Sequence, residues 1–437
     1  MHYYSTNKNA PAVSLEEAVI KGLAPDKGLY MPQTIQRLPD AFFHNIAEMS
    51  LQEIAFVVAS AFFGQDIEAK RLQEIVNDTL SFDIPLVKVK DSIYSLELFH
   101  GPTAAFKDVG ARFMARLLEY FIEKDKKPRM VNVLVATSGD TGSAVANGFF
   151  QVPGIRVFVL YPKGKVSDIQ EKQFTTLGQN ITALEINGTF DDCQRLVKEA
   201  FMDEDLNRHL FLTSANSINV ARFLPQAFYY FYAYAQYKRA GYEDEPVICV
   251  PSGNFGNITA GLFAKRMGLP IKRFIAANNR NDIFLQYLNT GVYSPRPSVQ
   301  TIANAMDVGD PSNFARILDL YENSHDAICK DISGISYTDE QIARALARVY
   351  DQTDYLLDPH GACGYQALED LLQPGEKGIF LETAHPAKFK DTVEPIIGEG
   401  VMVPSTLRRF MSGIKQSEQL SADYRSFRKL LLDSIEI

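Results

Sequence analysis

Between residue 130 and residue 381, short unbroken apolar runs alternate with glycine-rich turns and amphipathic helical stretches. The runs at 130–136, 155–161, 181–186, 246–250, 271–277 and 378–381 read as strands. A run that is apolar on both faces belongs in a parallel sheet covered by helices on either side, and helix-length segments separate these runs. The fold class expected is therefore α/β with parallel sheets. In such folds ligands bind beyond the carboxyl ends of the strands, where the turns rich in Ser, Thr, Asn and Gly lie.

The first 80 or so residues carry a different pattern, read as mainly helical. Ser14 followed by Glu17 marks a capped helix start, and 49–63 and 66–80 continue with helical spacing. Gly22, Gly28 and Pro32 mark a loop between them, and the turn Asp26-Lys27-Gly28-Leu29-Tyr30 is read as structural. Residues 337–352 form a capped amphipathic helix, and 405–437 read as a surface tail ending in a helix. A chain of 437 residues exceeds what one core usually supports, so several lobes are expected. The division expected is 1–80, a helical domain; 81–400, two α/β lobes with a site between them; and 401–437, a tail and helix.

Candidate chemistry begins at Lys107. It follows Gly101-Pro102-Thr103-Ala104-Ala105-Phe106, a turn with Thr103 as the expected N-cap, and opens a helix with Phe106, Val109, Phe113, Leu117 and Phe121 on one face. A lysine at the buried entrance of such a helix loses basicity, because burial penalises the ammonium. It then becomes a nucleophile toward aldehydes. Three turns complement it. Ser252-Gly253-Asn254-Phe255-Gly256-Asn257 joins a strand to a helix and suits a phosphate, without the residues of a nucleotide loop. Thr137-Ser138-Gly139-Asp140-Thr141-Gly142-Ser143 suits a carboxylate in the same way. Asn216, Ser217 and Arg222 make a third polar cluster able to clamp a phosphate, or an ordinary capped helix with a surface ion pair. Thr383, before His385 and Pro386, puts a hydroxyl at the end of the last strand. A lysine, a phosphate cradle and a second anion loop on one scaffold fit pyridoxal phosphate, with the third cluster left for substrate.

Composition narrows the field. The net charge of −9 is diffuse and no basic run occurs, which argues against nucleic acid. The four cysteines are far apart, fitting neither a zinc site nor a disulfide framework, and no His, Asp or Glu pair has metal-ligand spacing. No apolar run reaches bilayer length and the N-terminus has no signal-like segment, so a cytoplasmic protein is expected.

Taken together, Phe-His-Gly-Pro-Thr-Ala-Ala-Phe-Lys-Asp (99–108), Ala-Thr-Ser-Gly-Asp-Thr-Gly (136–142), Ser-Ala-Asn-Ser-Ile-Asn (214–219), Pro-Ser-Gly-Asn-Phe-Gly (251–256), Asn-Ala-Met-Asp-Val (304–308) and Thr-Ala-His-Pro-Ala-Lys-Phe (383–389) resemble the threonine synthases. These belong to the fold type II enzymes dependent on pyridoxal phosphate. The resemblance spans almost the whole chain. It implies two parallel-sheet lobes plus a mainly helical N-terminal domain, and conversion of O-phospho-L-homoserine and water to L-threonine and phosphate. It also implies Lys107 as the Schiff-base lysine, Gly253, Asn254, Phe255, Gly256 and Asn257 around the cofactor phosphate, and Thr383 facing the pyridine nitrogen. Ser143 would lie by the cofactor and, with Ser138, Thr141 and Gly142, by the substrate carboxylate. Asn216, Ser217 and Arg222 would hold the substrate phosphate. The partner expected is a small molecule, with neither nucleic acid nor membrane, for a chain acting as a monomer or homodimer. Competing readings are a phospho-lyase releasing 2-oxobutyrate, a serine or threonine deaminase-type enzyme, and a silent ligand-binding relative.

Overall fold

The six apolar runs all become strands, and they divide between two sheets. The computed structural model describes residues 1–126 and 129–434. In chain order the strands are β1 (His2–Ser5), β2 (Val13–Ser14), β3 (Tyr30–Pro32), β4 (Leu86–Lys90), β5 (Ile93–Glu97), β6 (Val131–Ala136), β7 (Ile155–Pro162), β8 (Ile181–Asn187), β9 (Phe211–Ser214), β10 (Val247–Pro251), β11 (Arg273–Asn278), β12 (Ile332–Ser336), β13 (Gly378–Glu382) and β14 (Glu418–Ser421). One sheet runs β12-β11-β10-β13-β5-β4, parallel except for the terminal β4–β5 pair. The other runs β14-β8-β7-β6-β9 and is parallel throughout.

Alternate residues of these strands serve different cores. Val131, Val133 and Val135 of β6 and Val157 and Val159 of β7 join the largest core, whereas Leu134, Phe158 and Leu160 face a second one. Likewise Ile248 and Val250 of β10 point one way, and Val247 and Cys249 the other. Both faces are covered, so these strands carry no polar alternation.

The N-terminal region holds the expected helices. Leu15–Lys21 is capped by Ser14, Leu51–Phe63 starts at a Ser50–Glu53 capping box, and Ala69–Thr79 follows. It also holds an antiparallel sheet, β2-β1-β3, that the helical reading lacked. Strands this short show no periodicity. β9 and β12 were hidden for related reasons: one has four residues, and the other, Ile-Ser-Gly-Ile-Ser, is broken by glycine and serine. The helix expected over 337–352 is Asp339–Thr353, capped by Thr338 with Gln341.

Residues 405–434 are not a loose surface tail. β14 pairs parallel with β8 and forms the edge of the five-stranded sheet. Helix Tyr424–Asp433 then buries Phe427 and Leu431 against the core containing Leu184, Leu196 and Val197. Polar composition hid the strand, because an edge strand needs only its backbone to pair. Phe427→Ala should cost about 3 kcal/mol of unfolding free energy, the usual loss for an emptied aromatic core position. Chemical denaturation measures this, and a loss under about 1 kcal/mol would mean that the helix contributes little to the core.

Candidate active site

The strand ends of β5, β6, β9, β10 and β13 each feed one of the loops singled out by sequence, and backbone and side-chain bonds tie those loops to one another. Helix Lys107–Lys124 begins at the lysine itself. Thr103 is not its N-cap. The Thr103 N–H and hydroxyl both bond the Asp108 carboxylate, at 2.9 and 2.6 Å, which stabilises the turn, while Phe106 holds the cap position without a side-chain bond. Phe106 N–H donates to the Thr383 carbonyl at 2.9 Å, and Ala105 bridges to Ala384. Thr383 thus lies alongside the residues that present Lys107. Among the described residues its hydroxyl has no partner.

Lys107 is half-buried by surface, with Nζ 5.6 Å from the Phe106 ring centre. Its ammonium lies deep enough that desolvation lowers the pKa from the usual 10.5 to about 8; Asp140 opposes that shift, and Lys388 and Arg222 reinforce it.

Asp140 and Lys388 were quoted within motifs but given no role by sequence. Lys388 Nζ is fully buried, 2.6 Å from Asp140 Oδ1, and donates to the Thr103 carbonyl at 2.8 Å. Gln170 Nε2 adds a bond to Asp140 at 2.8 Å. Burial alone would raise the Asp140 pKa, but Lys388, then Lys107, and the bonds from Lys388 and Gln170 hold it well below the usual carboxylate range. This pair joins the loop after β6 to the loop after β13, and so one sheet to the other. A lysine among small and apolar residues in Thr-Ala-His-Pro-Ala-Lys-Phe was the available signal.

The loop after β10 is built for an anion. Phe255 takes left-handed backbone angles (φ 61°) and helix Gly256–Arg266 starts directly after it. Among the described residues, none of the backbone N–H groups from Gly253 through Asn257 has an acceptor. Gly253 could not be another residue, since a Cβ there would stand 2.7 Å from the Ala305 carbonyl oxygen and from Met306 Cα. Free N–H groups converging at a helix N-terminus fit a phosphate, and a lysine of lowered basicity beside it fits an aldehyde. Asn257 does not reach into this cradle with its side chain, which bonds Pro251 O and Ile258 N–H instead.

In the loop after β6, Ser138 and Thr141 are half-buried, and the N–H groups of Ser138, Asp140 and Thr141 are free among the described residues. Gly139 adopts φ 144°, a conformation that favours glycine. Two expected contributors are committed elsewhere. Gly142 N–H donates to Thr137 Oγ1 at 2.8 Å, and the Ser143 hydroxyl faces the Gly139 and Gln170 carbonyls, both at 3.1 Å. These residues shape the turn, because a strand-to-helix corner must satisfy its own buried polar groups first.

Asn216 bonds the Ala136 carbonyl at 3.3 Å, beside the carboxylate loop. Ser217 Oγ accepts from Asn254 Nδ2 and Asn313 Nδ2, both at 2.9 Å, which seats it against the phosphate cradle. Arg222 is buried rather than solvated, so the surface ion pair is ruled out. Its Nε donates to Ala215 O at 2.7 Å and its Nη1 to Lys107 O at 3.2 Å, and burial lowers its pKa to about 10. Asn313 and its neighbour Arg316 lie outside every sequence motif identified as functional, since a lone Asn-x-x-Arg carries no distinctive pattern.

Similarity to known proteins agrees with this geometry. A family model described as the threonine synthase N terminus matches residues 2–80, one for pyridoxal-phosphate dependent enzymes matches 83–378, and one for the threonine synthase C-terminal region matches 361–431. Threonine synthase of Escherichia coli strain K12 is 43% identical over 433 residues, covering 99% of this chain and all of that protein. The crystal structure of threonine synthase from Escherichia coli superposes with a TM-score of 0.93 at 42% identity, over 99% of this chain and 100% of that one. A threonine synthase from Brucella melitensis solved with pyridoxal phosphate bound gives 0.92 at 33% identity, over 100% of both chains. The chain belongs to the threonine synthase family, fold type II lyases that work with pyridoxal phosphate.

Proposed function

We propose that this chain converts O-phospho-L-homoserine and water to L-threonine and phosphate, with Lys107 as the lysine that anchors the cofactor. The observation that carries the reading is the linkage, by bonds between their loops, of Lys107, a cradle of free N–H groups and the Ser217–Arg222 cluster. Bound there, pyridoxal phosphate supplies an electron sink for charge developing at the substrate α-carbon. Gly253, Asn254, Phe255, Gly256 and Asn257 would hold its phosphate through backbone N–H groups and the helix N-terminus. Thr383 would face the ring nitrogen with a neutral hydroxyl. The preceding residue, Glu382, is fully buried; desolvation and the nearby Asp358 raise its pKa well above the ordinary value, so no carboxylate charge is offered from that side.

Ser138 and Thr141, with the free N–H groups of their loop, would take the substrate carboxylate, while Gly142 and Ser143 keep that loop in shape. Asn216, Ser217 and Arg222 would take the substrate phosphate, Arg222 through Nη2, which is free among the described residues. Lys107 Nζ then removes the proton at Cα and one at Cβ as phosphate leaves Cγ. It returns protons at Cγ and Cα, while water adds its hydroxyl at Cβ and gives its remaining proton to the departed phosphate. A lysine with pKa about 8 can both take and give protons near neutrality. The carbonyl of Lys107 accepts from Arg222, which links the proton carrier to the group that grips the leaving phosphate. The helices of the described residues include none long and apolar enough to cross a membrane, in keeping with action on a soluble metabolite in the cytoplasm.

Lys107→Ala should abolish cofactor absorbance above the protein band and lower turnover by at least about a thousandfold. Product analysis with O-phospho-L-homoserine should find threonine and phosphate in equal amounts; 2-oxobutyrate as the main product would instead indicate a phospho-lyase. In cofactor-free protein the rate of pyridoxal phosphate capture should rise with pH and level off above about 8, because only the free amine reacts. Asp140→Asn removes the charge that favours the ammonium, so the midpoint should fall further. Stopped-flow absorbance measures both, and a rise of the midpoint in Asp140→Asn would contradict the assignment.

A further inference from the structure

Arg316 is the largest fully buried side chain among the described residues, and its charge is not neutralised by any of them. It sits on helix Phe314–Leu320, behind Ser217 and Asn313. All of its nitrogens meet uncharged oxygens. Nε and Nη2 donate to Tyr30 O at 3.3 and 3.2 Å, Nη1 to Ser217 O at 2.8 Å and Asn313 Oδ1 at 2.6 Å, and Nη2 also to Ile218 O at 2.6 Å. The Phe223 ring covers the guanidinium at 4.0 Å. Burial lowers its pKa to about 9, which leaves it charged at neutral pH. Carbonyl dipoles satisfy its hydrogens but not its net charge, and a buried cation without a counter-anion is strongly disfavoured.

The bonds around it have a direction. Because Asn313 Oδ1 accepts from Arg316, Asn313 Nδ2 must face Ser217 Oγ at 2.9 Å and Asn254 O at 3.1 Å. Asn254 Oδ1 accepts from Ser312 N–H at 2.7 Å, so Asn254 Nδ2 also donates to Ser217 Oγ, at 2.9 Å. Two donors fill both lone pairs of the Ser217 hydroxyl, and its hydrogen is left to point away from both amides. Among the described residues it has no acceptor. Ser217 also lies against the helix start at Gly256, where a Cβ would stand 3.1 Å from Ser217 Cβ. On the other side of the same segment Arg222, equally without a bonded carboxylate among the described residues, holds the Ala215 carbonyl.

We propose that Arg316 is a positioning residue for the substrate phosphate: it stores buried positive charge that the arriving dianion neutralises, and through Asn313 it turns the Ser217 hydroxyl into a donor. The inference rests on the reading of Asn216, Ser217 and Arg222 as the substrate phosphate site. It separates phosphorylated from unphosphorylated ligands, because only the former bring the missing negative charge.

The test uses holoenzyme variants Ser217→Ala, Asn313→Ala, Arg316→Lys and Arg316→Met. The readouts are KM and kcat for O-phospho-L-homoserine, competitive inhibition by inorganic phosphate, and L-threonine binding followed by cofactor absorbance. Arg316→Met should raise KM and the phosphate inhibition constant by about tenfold or more, while L-threonine binding and cofactor content change by less than about twofold. Asn313→Ala, which keeps the charge but loses the orientation, should weaken phosphate by about fivefold, and Arg316→Lys should fall between wild type and Arg316→Met. If Arg316→Met does not fold, Asn313→Ala and Arg316→Lys decide, since both must weaken phosphate selectively. Equal losses for phosphate and L-threonine, or no change in either variant, overturn the inference. If Ser217→Ala leaves phosphate inhibition unaltered, the substrate-phosphate reading itself fails; if only Ser217→Ala weakens it, the role of Arg316 alone is lost.

Discussion

Keeping the Lys107 amine poorly hydrated is the constraint around which the site is organised. Desolvation drives its pKa down to about 8, while Asp140 draws it back up. Without burial the amine would stay protonated at neutral pH; without Asp140 it would lose the nearby charge that favours its ammonium form. Asp140 itself is tolerated in a buried position because Lys388 and Gln170 satisfy it. Lys107, Asp140 and Lys388 form one electrostatic unit drawn from three loops.

That unit explains why two sheets are needed. A parallel strand delivers its loop to one end of the sheet, and a single sheet would leave such loops in a row on an open edge. Here the loops after β6 and β9 of one sheet are bonded to those after β5, β10 and β13 of the other, through Asp140–Lys388, Arg222–Lys107 and Ser217–Asn254. In the proposed reading each loop carries one demand: the free N–H groups after β10 for a phosphate, the hydroxyls after β6 for a carboxylate, the Thr383 hydroxyl after β13. The buried guanidiniums of Arg222 and Arg316 flank the segment after β9, where a second anion would complete the charge balance.

Much of this was legible in the chain. Continuous apolar runs gave six strands of the parallel sheets, β6, β7, β8, β10, β11 and β13, to within a residue or two, because burial on both faces leaves no room for polar alternation. Loops dense in Gly, Ser, Thr and Asn marked the segments whose backbone N–H groups are free among the described residues, since such groups need small neighbours. Three kinds of feature were not legible. Short or polar strands such as β1, β12 and β14 pair through backbone alone. The internal commitments of Thr103, Gly142 and Ser143 depend on which neighbour arrives first in three dimensions. Charges that act from behind the site, such as Lys388 and Arg316, sit in unremarkable sequence and gain meaning only from what surrounds them.

The bond between Lys388 and Asp140 has a mechanical consequence. It spans the two sheets at full burial, so pulling them apart there would strand opposite charges in apolar surroundings. The junction of the two sheets is therefore most costly to separate at this point, and cheaper wherever no buried ion pair spans them.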